Sequence, residues 1–259
     1  MLPGIDDGAP DMETALAMAR IAVEDGITVT ACTPHITPGI YDNDGPGIAA
    51  AIGGLQHRLD AEGIAMRLVR GADAHLAPDL AQGLASGRVP SLNGSRYFLF
   101  EPPHHVAPPQ MASYCLELLD LGHTPLVTHP ERLSWIEGHY EMMQHMAAAG
   151  AWMQITAGSL TGRFGRRPRY WAERMLDDGI VHVLATDAHN LGNRAPRLAE
   201  GRDAAAERIG EDEATHLVLT RPQGILDDRP PGELPPCPGD AKKPRSGGFM
   251  RRFFKSSRS

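Results

Sequence analysis

The chain has 259 residues, enough for one large α/β domain or two small ones, and long enough to bury a core without staples. Its net charge is -7, but seven basic residues and no acid follow Asp240, so the first 240 residues carry 18 basic and 32 acidic side chains, a net of -14. Such an acidic body argues against general nucleic-acid binding and suits a carboxylate-rich site that holds cations, while three scattered cysteines (Cys32, Cys115, Cys237) exclude a disulfide framework and point to a reducing, cytoplasmic compartment.

The sequence shows no signal peptide and no long apolar run, so a soluble body is expected. DMETALAMARIAVEDG reads as a helix with Asp11 as N-cap and Gly26 as its stop. ITVTAC follows as an apolar, β-branched strand. A Gly/Pro/Asp-rich loop spans Thr37 to Gly47, and Ile48 to Glu62 reads as a helix that Gly53 and Gly54 weaken. Strands are then predicted at 64–70, 96–100, 125–128, 151–156 and 180–186. Helices follow them near 78–86, 107–121, 139–149, 168–178 and 195–209, with a last one at 211–219. Strands alternating with helices predict a parallel sheet with right-handed crossovers. From Arg229 the chain turns Pro- and Gly-rich, so residues 229–259 are expected to be a disordered linker and basic tail.

Metal-type side chains sit where these strands end. His35 follows VTACTP, Asp73 follows MRLVRGA, Glu101 follows RYFLF, His129 follows PLVT, and VHVLAT runs into Asp187 and His189. Acids and histidines converging from the carboxyl ends of successive parallel strands make a metal-centred site. Donors from almost every strand favour a closed or nearly closed barrel over an open doubly wound sheet, which concentrates its ligand at one switch point. Each donor alone has a plainer reading, as a loop histidine, a helix cap or a surface acid; their joint occurrence carries the inference. His104 and His105 lie in a Pro-rich loop and read as loop residues, and His75 can be read either way. Together with Asp7, the donors mix imidazole and carboxylate without thiolate, which suits Mn²⁺, Zn²⁺ or Fe. They outnumber one tetrahedral shell, so two or three ions are expected, and ions roughly 4 Å apart can clamp a phosphoryl group.

Arg132 and Arg194 follow the ligand candidates closely, where a guanidinium could grip a phosphate. Arg163, Arg166, Arg167 and Arg169 form a basic loop that reads as a solvated face or as a rim attracting a phosphorylated partner. Competing chemistries fail on spacing. Six residues after Cys32, Cys115 and Cys237 stand Pro38, Leu121 and Lys243, not the arginine of a cysteine phosphatase. No GxxxxGK[ST] loop and no GxSxG elbow occurs.

The segments LPGIDDGAPDMETALAMARIAVEDGI, TPH, RGAD, SRYFLFE, LGHTPLVTHPER and VHVLATDAHNLGNRAP, in that order across residues 1–228, resemble the bacterial PHP-domain tyrosine phosphatases of capsule and exopolysaccharide clusters, the CpsB/YwqE type. The resemblance implies a distorted (β/α)7 barrel of PHP type over residues 1–228 and a cluster of up to three ions, usually Mn²⁺. It implies Asp7, His35, Asp73, Glu101, His129, Asp187 and His189 as ligands, with Arg132 and Arg194 binding phosphate. The implied reaction is hydrolysis of phosphotyrosine on the tail of a tyrosine autokinase, through a metal-bridging hydroxide.

Two departures stand out. The family opens with a strand carrying His-x-His, whereas this sequence starts at Met1-Leu2-Pro3, so the first strand is expected to be truncated or missing and the natural product longer. A bridging glutamate of the family is replaced by Asp73, which withdraws the carboxylate by roughly 1.5 Å. The alternatives in view are a catalytically impaired module that binds the kinase, and a PHP phosphoesterase acting on a small molecule such as histidinol phosphate. The tail, with Phe249, Phe253 and Phe254 among its basic residues, reads either as solvated or as a weak membrane-surface contact.

Overall fold

The computed structural model describes residues 1–240. The basic tail and its expected membrane contact lie outside the described residues. Helix α1 (Met12–Glu24) starts where expected: the Asp11 side chain accepts from Thr14 N at 2.8 Å. Gly26, at φ 91°, ends the turn in a conformation that a Cβ disfavours. Strand β1 (Val29–Cys32) and β2 (His35–Ile36) are one strand interrupted at Thr33-Pro34, since proline lacks the ladder N–H. Strand β3 (Arg67–Arg70) and β4 (Asp73–His75) are interrupted alongside, at Gly71-Ala72.

Helix α2 (Gly45–Ala61) connects the two strands. It begins three residues earlier than the sequence reading places it, because Asp44 caps it and a Cβ on Gly45 would lie 2.2 Å from the Gly87 carbonyl. The chain continues through α3 (Leu80–Ser86), β5 (Tyr97–Glu101), α4 (Met111–Asp120), β6 (Thr124–Thr128), α5 (Ile136–Ala149) and β7 (Trp152–Thr156). It then forms α6 (Ala157–Leu160), α7 (Arg166–Asp177), β8 (Val183–Ala185), α8 (Ala199–Ile209) and α9 (Glu211–Thr215). A π-turn over 216–220 leads into α10 (Arg221–Leu226).

All the named strand pairs are parallel. The orders are β1-β3 in one sheet and β2-β4-β5-β6-β7-β8 in the other. Counting each interrupted pair as one, these are the six strands predicted, in sequential order. The described strands do not pair into a closed sheet, since β8 and β1 share no ladder. A cavity of about 250 Å³ is lined by residues of both, among them Val29, Ala31 and Val183.

Side chains alternate faces along each strand. Phe98, Phe100, Val127, Met153, Ile155 and Leu184 join the larger core, with the buried residues of the helices. Tyr97, Leu99, Leu126, Trp152 and Val183 form a smaller cluster on the opposite face. Glu101 is two residues beyond Leu99 and so shares that second face. The donors therefore cap a column of apolar residues, Tyr97 then Leu99 then Glu101, with the polar group at the carboxyl end.

The boundary expected at 228 is not where the described chain stops packing. Leu234 and Cys237 are buried, and Tyr97 Oη donates to Arg229 O at 2.7 Å. Residues 229–240 form a strap across the amino ends of the strands rather than a disordered linker. Among the described residues, no helix is long and apolar enough to cross a membrane.

Candidate metal and phosphate site

Register brings the strand-end donors together. His35 on β2 is paired with Asp73 on β4, and His75 with Glu101 on β5. His35 is the hub: its Nδ1 lies 3.4 Å from Glu101 and 4.0 Å from Asp73, and its Nε2 lies 3.6 Å from Asp7. Asp7 Oδ1 is also 3.2 Å from His189 Nε2. On the other side, His129 Nε2 is 3.8 Å from both Asp73 and Glu101. Asp73 thus reaches both neighbouring histidines despite its short side chain.

At the strand ends, three groups offer ligand atoms within 4.8 Å of one another: Asp7, His35 and His189; His35, Asp73 and Glu101; Glu101, His104 and His129; a fourth group among the described residues, His182, Cys237 and Asp240, lies apart at the strap. The three strand-end groups share His35 and Glu101, so they form one continuous cluster. His104 belongs to it, contrary to its reading as a loop residue. Its ring centroid is 4.8 Å from that of His129. The available signal was its place three residues beyond Glu101, which the surrounding prolines obscured. His75 Nδ1, 3.7 Å from Glu101, stands at the margin.

The electrostatics favour a bound cation. Burial opposes charge on His35, yet Glu101, Asp73 and Asp7 outweigh it and push its pKa up to about 9. Burial, reinforced by Glu101, raises Asp73 well above the usual carboxylate range. Burial also opposes ionisation of Glu101, but hydrogen bonds from His35 and His75 hold it below its ordinary value. His129 is driven down to about 3 by burial and so stays neutral, and its Nδ1 is buried with no hydrogen-bond partner. The neutral imidazole presents Nε2 to two carboxylates at 3.8 Å, a donor set that fits a metal shell.

Asp187 stands beside the donor groups, and its carboxylate faces the arginines. Oδ2 pairs with Arg132 Nη1 and lies 2.6 Å from Arg194 Nη2. Burial opposes its charge, but His129, Arg194 and Arg132 hold its pKa at about 2. His129 (φ 36°) and Asp187 (φ 48°) both adopt left-handed backbone, a strain concentrated at two strand ends. Glu131, which the sequence reading passed over, is fully buried and accepts from Thr156 N (2.9 Å) and Ser159 Oγ (2.8 Å). It ties the His129–Arg132 turn to β7 and α6.

The basic rim is largely consumed by structure. Arg163 pairs with Glu200, Arg169 with Glu173, and Arg167 donates to the carbonyls of Leu133 and Ser134.

Residues 1–227 match the family model described as capsular polysaccharide synthesis, CpsB/CapC. The chain is 30% identical over 243 residues to "Tyrosine-protein phosphatase YwqE" of Bacillus subtilis (strain 168), covering 94% of this chain and 95% of that one. It is 28% identical over 232 residues to "Tyrosine-protein phosphatase CpsB" of Streptococcus pneumoniae, covering 87% and 95%. A solved structure, from work on YwqE of Bacillus subtilis and CpsB of Streptococcus pneumoniae described as unique metal-dependent tyrosine phosphatases, superimposes with a TM-score of 0.85 at 30% identity, covering 88% of this chain and 92% of that one.

Proposed function

The chain belongs to the CpsB/CapC family of capsular polysaccharide synthesis, and from that premise we propose that it is a metal-dependent tyrosine-protein phosphatase. The observation that carries the reading is the continuous donor cluster, with contacts of 3.4–3.8 Å from Asp7 through His35, Glu101 and His129 and of 3.2 Å from Asp7 to His189, set beside two arginines. Asp7, His35, Asp73, Glu101, His129 and His189, joined by His104, are the residues that would hold the ions, with Asp187 at the edge of the set. Two or three ions, Mn²⁺ first and Fe or Zn next, suit this mixture of imidazole and carboxylate. Bound there, they would supply Lewis-acid activation of water and charge neutralisation at phosphorus.

The chain's own residues do the rest. Arg132 and Arg194 bind the phosphoryl oxygens, exchanging part of their contact with Asp187 for the substrate. Asp187 orients both guanidinium groups, and Glu131 holds the turn that carries Arg132. A tyrosyl leaving group, whose conjugate acid has a pKa of about 10, needs little general-acid help. The substrate proposed is a phosphotyrosine tail of a tyrosine autokinase that controls capsule or exopolysaccharide synthesis.

The fold reading that accompanies this is a distorted (β/α)7 barrel of PHP type, supported by the sequential parallel order and by donors converging on one face. The test is phosphate release from phosphotyrosine peptides with Mn²⁺. It should occur with the metal, stop with EDTA and return on adding the metal back. Absence of release from a chain that demonstrably binds Mn²⁺ would overturn the enzyme reading.

A further inference from the structure

The guanidinium carbon of Arg132 lies 4.5 Å from the centre of the Phe164 ring, over its face. The loop carrying that ring is closely specified. Gly162 and Gly165 take φ of 81° and 90°, and the Gly165 N–H closes the turn on Gly162 O at 3.0 Å. Arg163 donates its N–H to Gly158 O at 2.8 Å and pairs its side chain with Glu200. A Cβ on Gly158 would lie 2.9 Å from Phe164 Cε2, so the ring occupies space that only glycine leaves open there.

We propose that Phe164 is a positioning residue that holds the Arg132 guanidinium in the orientation in which it grips a phosphoryl oxygen. The proposal rests on the phosphatase reading for the role of Arg132 and adds the residue that fixes its plane. The physical reason is that Arg132 has a long, flexible stem and a single carboxylate oxygen, Asp187 Oδ2, which Arg194 also uses. A carboxylate oxygen shared between two arginines restrains Arg132 less than one of its own would. The negative face of the aromatic ring then supplies a second restraint, and it leaves the in-plane N–H groups free for an anion.

The test is calorimetric binding of inorganic phosphate to the Mn²⁺-loaded chain, with kinetics on a phosphotyrosine peptide alongside. Phe164→Leu, which keeps apolar bulk and removes the ring, should weaken phosphate binding roughly tenfold and raise KM by a similar factor, with a smaller change in kcat. Phe164→Tyr should stay within about twofold of the native chain. Gly158→Ala, which displaces the ring without altering it, should shift binding in the same direction as Phe164→Leu. In an Arg132→Ala background, Phe164→Leu should cause no further loss.

Native phosphate affinity in Phe164→Leu overturns the inference, as does an equal loss whether or not Arg132 is present. Phosphate binding that follows this pattern in a chain that hydrolyses nothing would uphold the positioning role and overturn the phosphatase reading. A native chain that binds no phosphate overturns both.

Discussion

His35 is surrounded by three carboxylates, and that fact governs how the site responds to pH. With Glu101 at 3.4 Å, its pKa of about 9 keeps it protonated at neutral pH, so a proton stands where a metal would. Binding a metal through that imidazole must expel the proton. Metal affinity should therefore climb about tenfold per pH unit between pH 7 and 9, then flatten. Titration calorimetry in two buffers of different ionisation enthalpy should show about one proton released from His35 per site filled at pH 7. No buffer dependence would show that His35 is already neutral. The metal-free fold has the opposite dependence. A raised histidine pKa adds stability that is complete below its ordinary value of 6.5 and is lost as pH rises through about 9. The same residue thus favours the metal-free fold at low pH and the loaded site at high pH.

At the scale of elements, the strands were the most legible part of the chain, and the reason is periodicity. Runs such as YFLF and PLVT are apolar on both faces, as parallel strands covered on both sides must be, and each stops at its donor. What escaped had no period to show. The start of α2 depends on a glycine fitting against the Gly87 carbonyl, and α10 begins at Arg221-Pro222, which reads as a break. His104 reached the cluster through a loop whose path no local pattern encodes.

Capping, by contrast, was readable, and it makes a clean prediction. Asp11→Ala removes the acceptor of the Thr14 N–H at an exposed helix start. It should lower Tm by roughly 2–4 °C for a domain of this size. Asp11→Asn should recover most of it. A melt unchanged by Asp11→Ala would mean that the first turn of α1 is held by tertiary packing instead.

At the scale of the whole molecule, the strap over 229–240 shows where composition misled. Its prolines and glycines are those of a linker, yet they present carbonyls to one buried cation. Arg221 is fully buried; it donates from Nε to Pro235 O at 2.9 Å and from Nη2 to Pro236 O at 3.0 Å, and it pairs with Glu213 at 2.8 Å. It also reaches His182 O, just before β8, so one guanidinium joins the strap, the helical tail of the domain and the sheet. Cys237 Sγ donates to Val181 O beside it, and Leu234 completes the inner apolar cluster beneath Leu99 and Val183. Prolines suit this role, because Pro235 and Pro236 lie outside any strand and their carbonyls are unused by a ladder.

A buried cation with this many partners is costly to remove, since Glu213 and the proline carbonyls would lose their donor together. Arg221→Met should destabilise the chain by about 3–5 kcal/mol, which corresponds to a fall in Tm of roughly 6–20 °C. If the strap is what Arg221 serves, the same substitution should cost clearly less in a chain ending at 228, where the Glu213 pair survives but the proline carbonyls are gone. A loss of under about 1 kcal/mol in the full chain, the range of exposed ion pairs, would show that the strap is not held by this arginine. An equal loss in both chains would place the effect in the Glu213 pair alone.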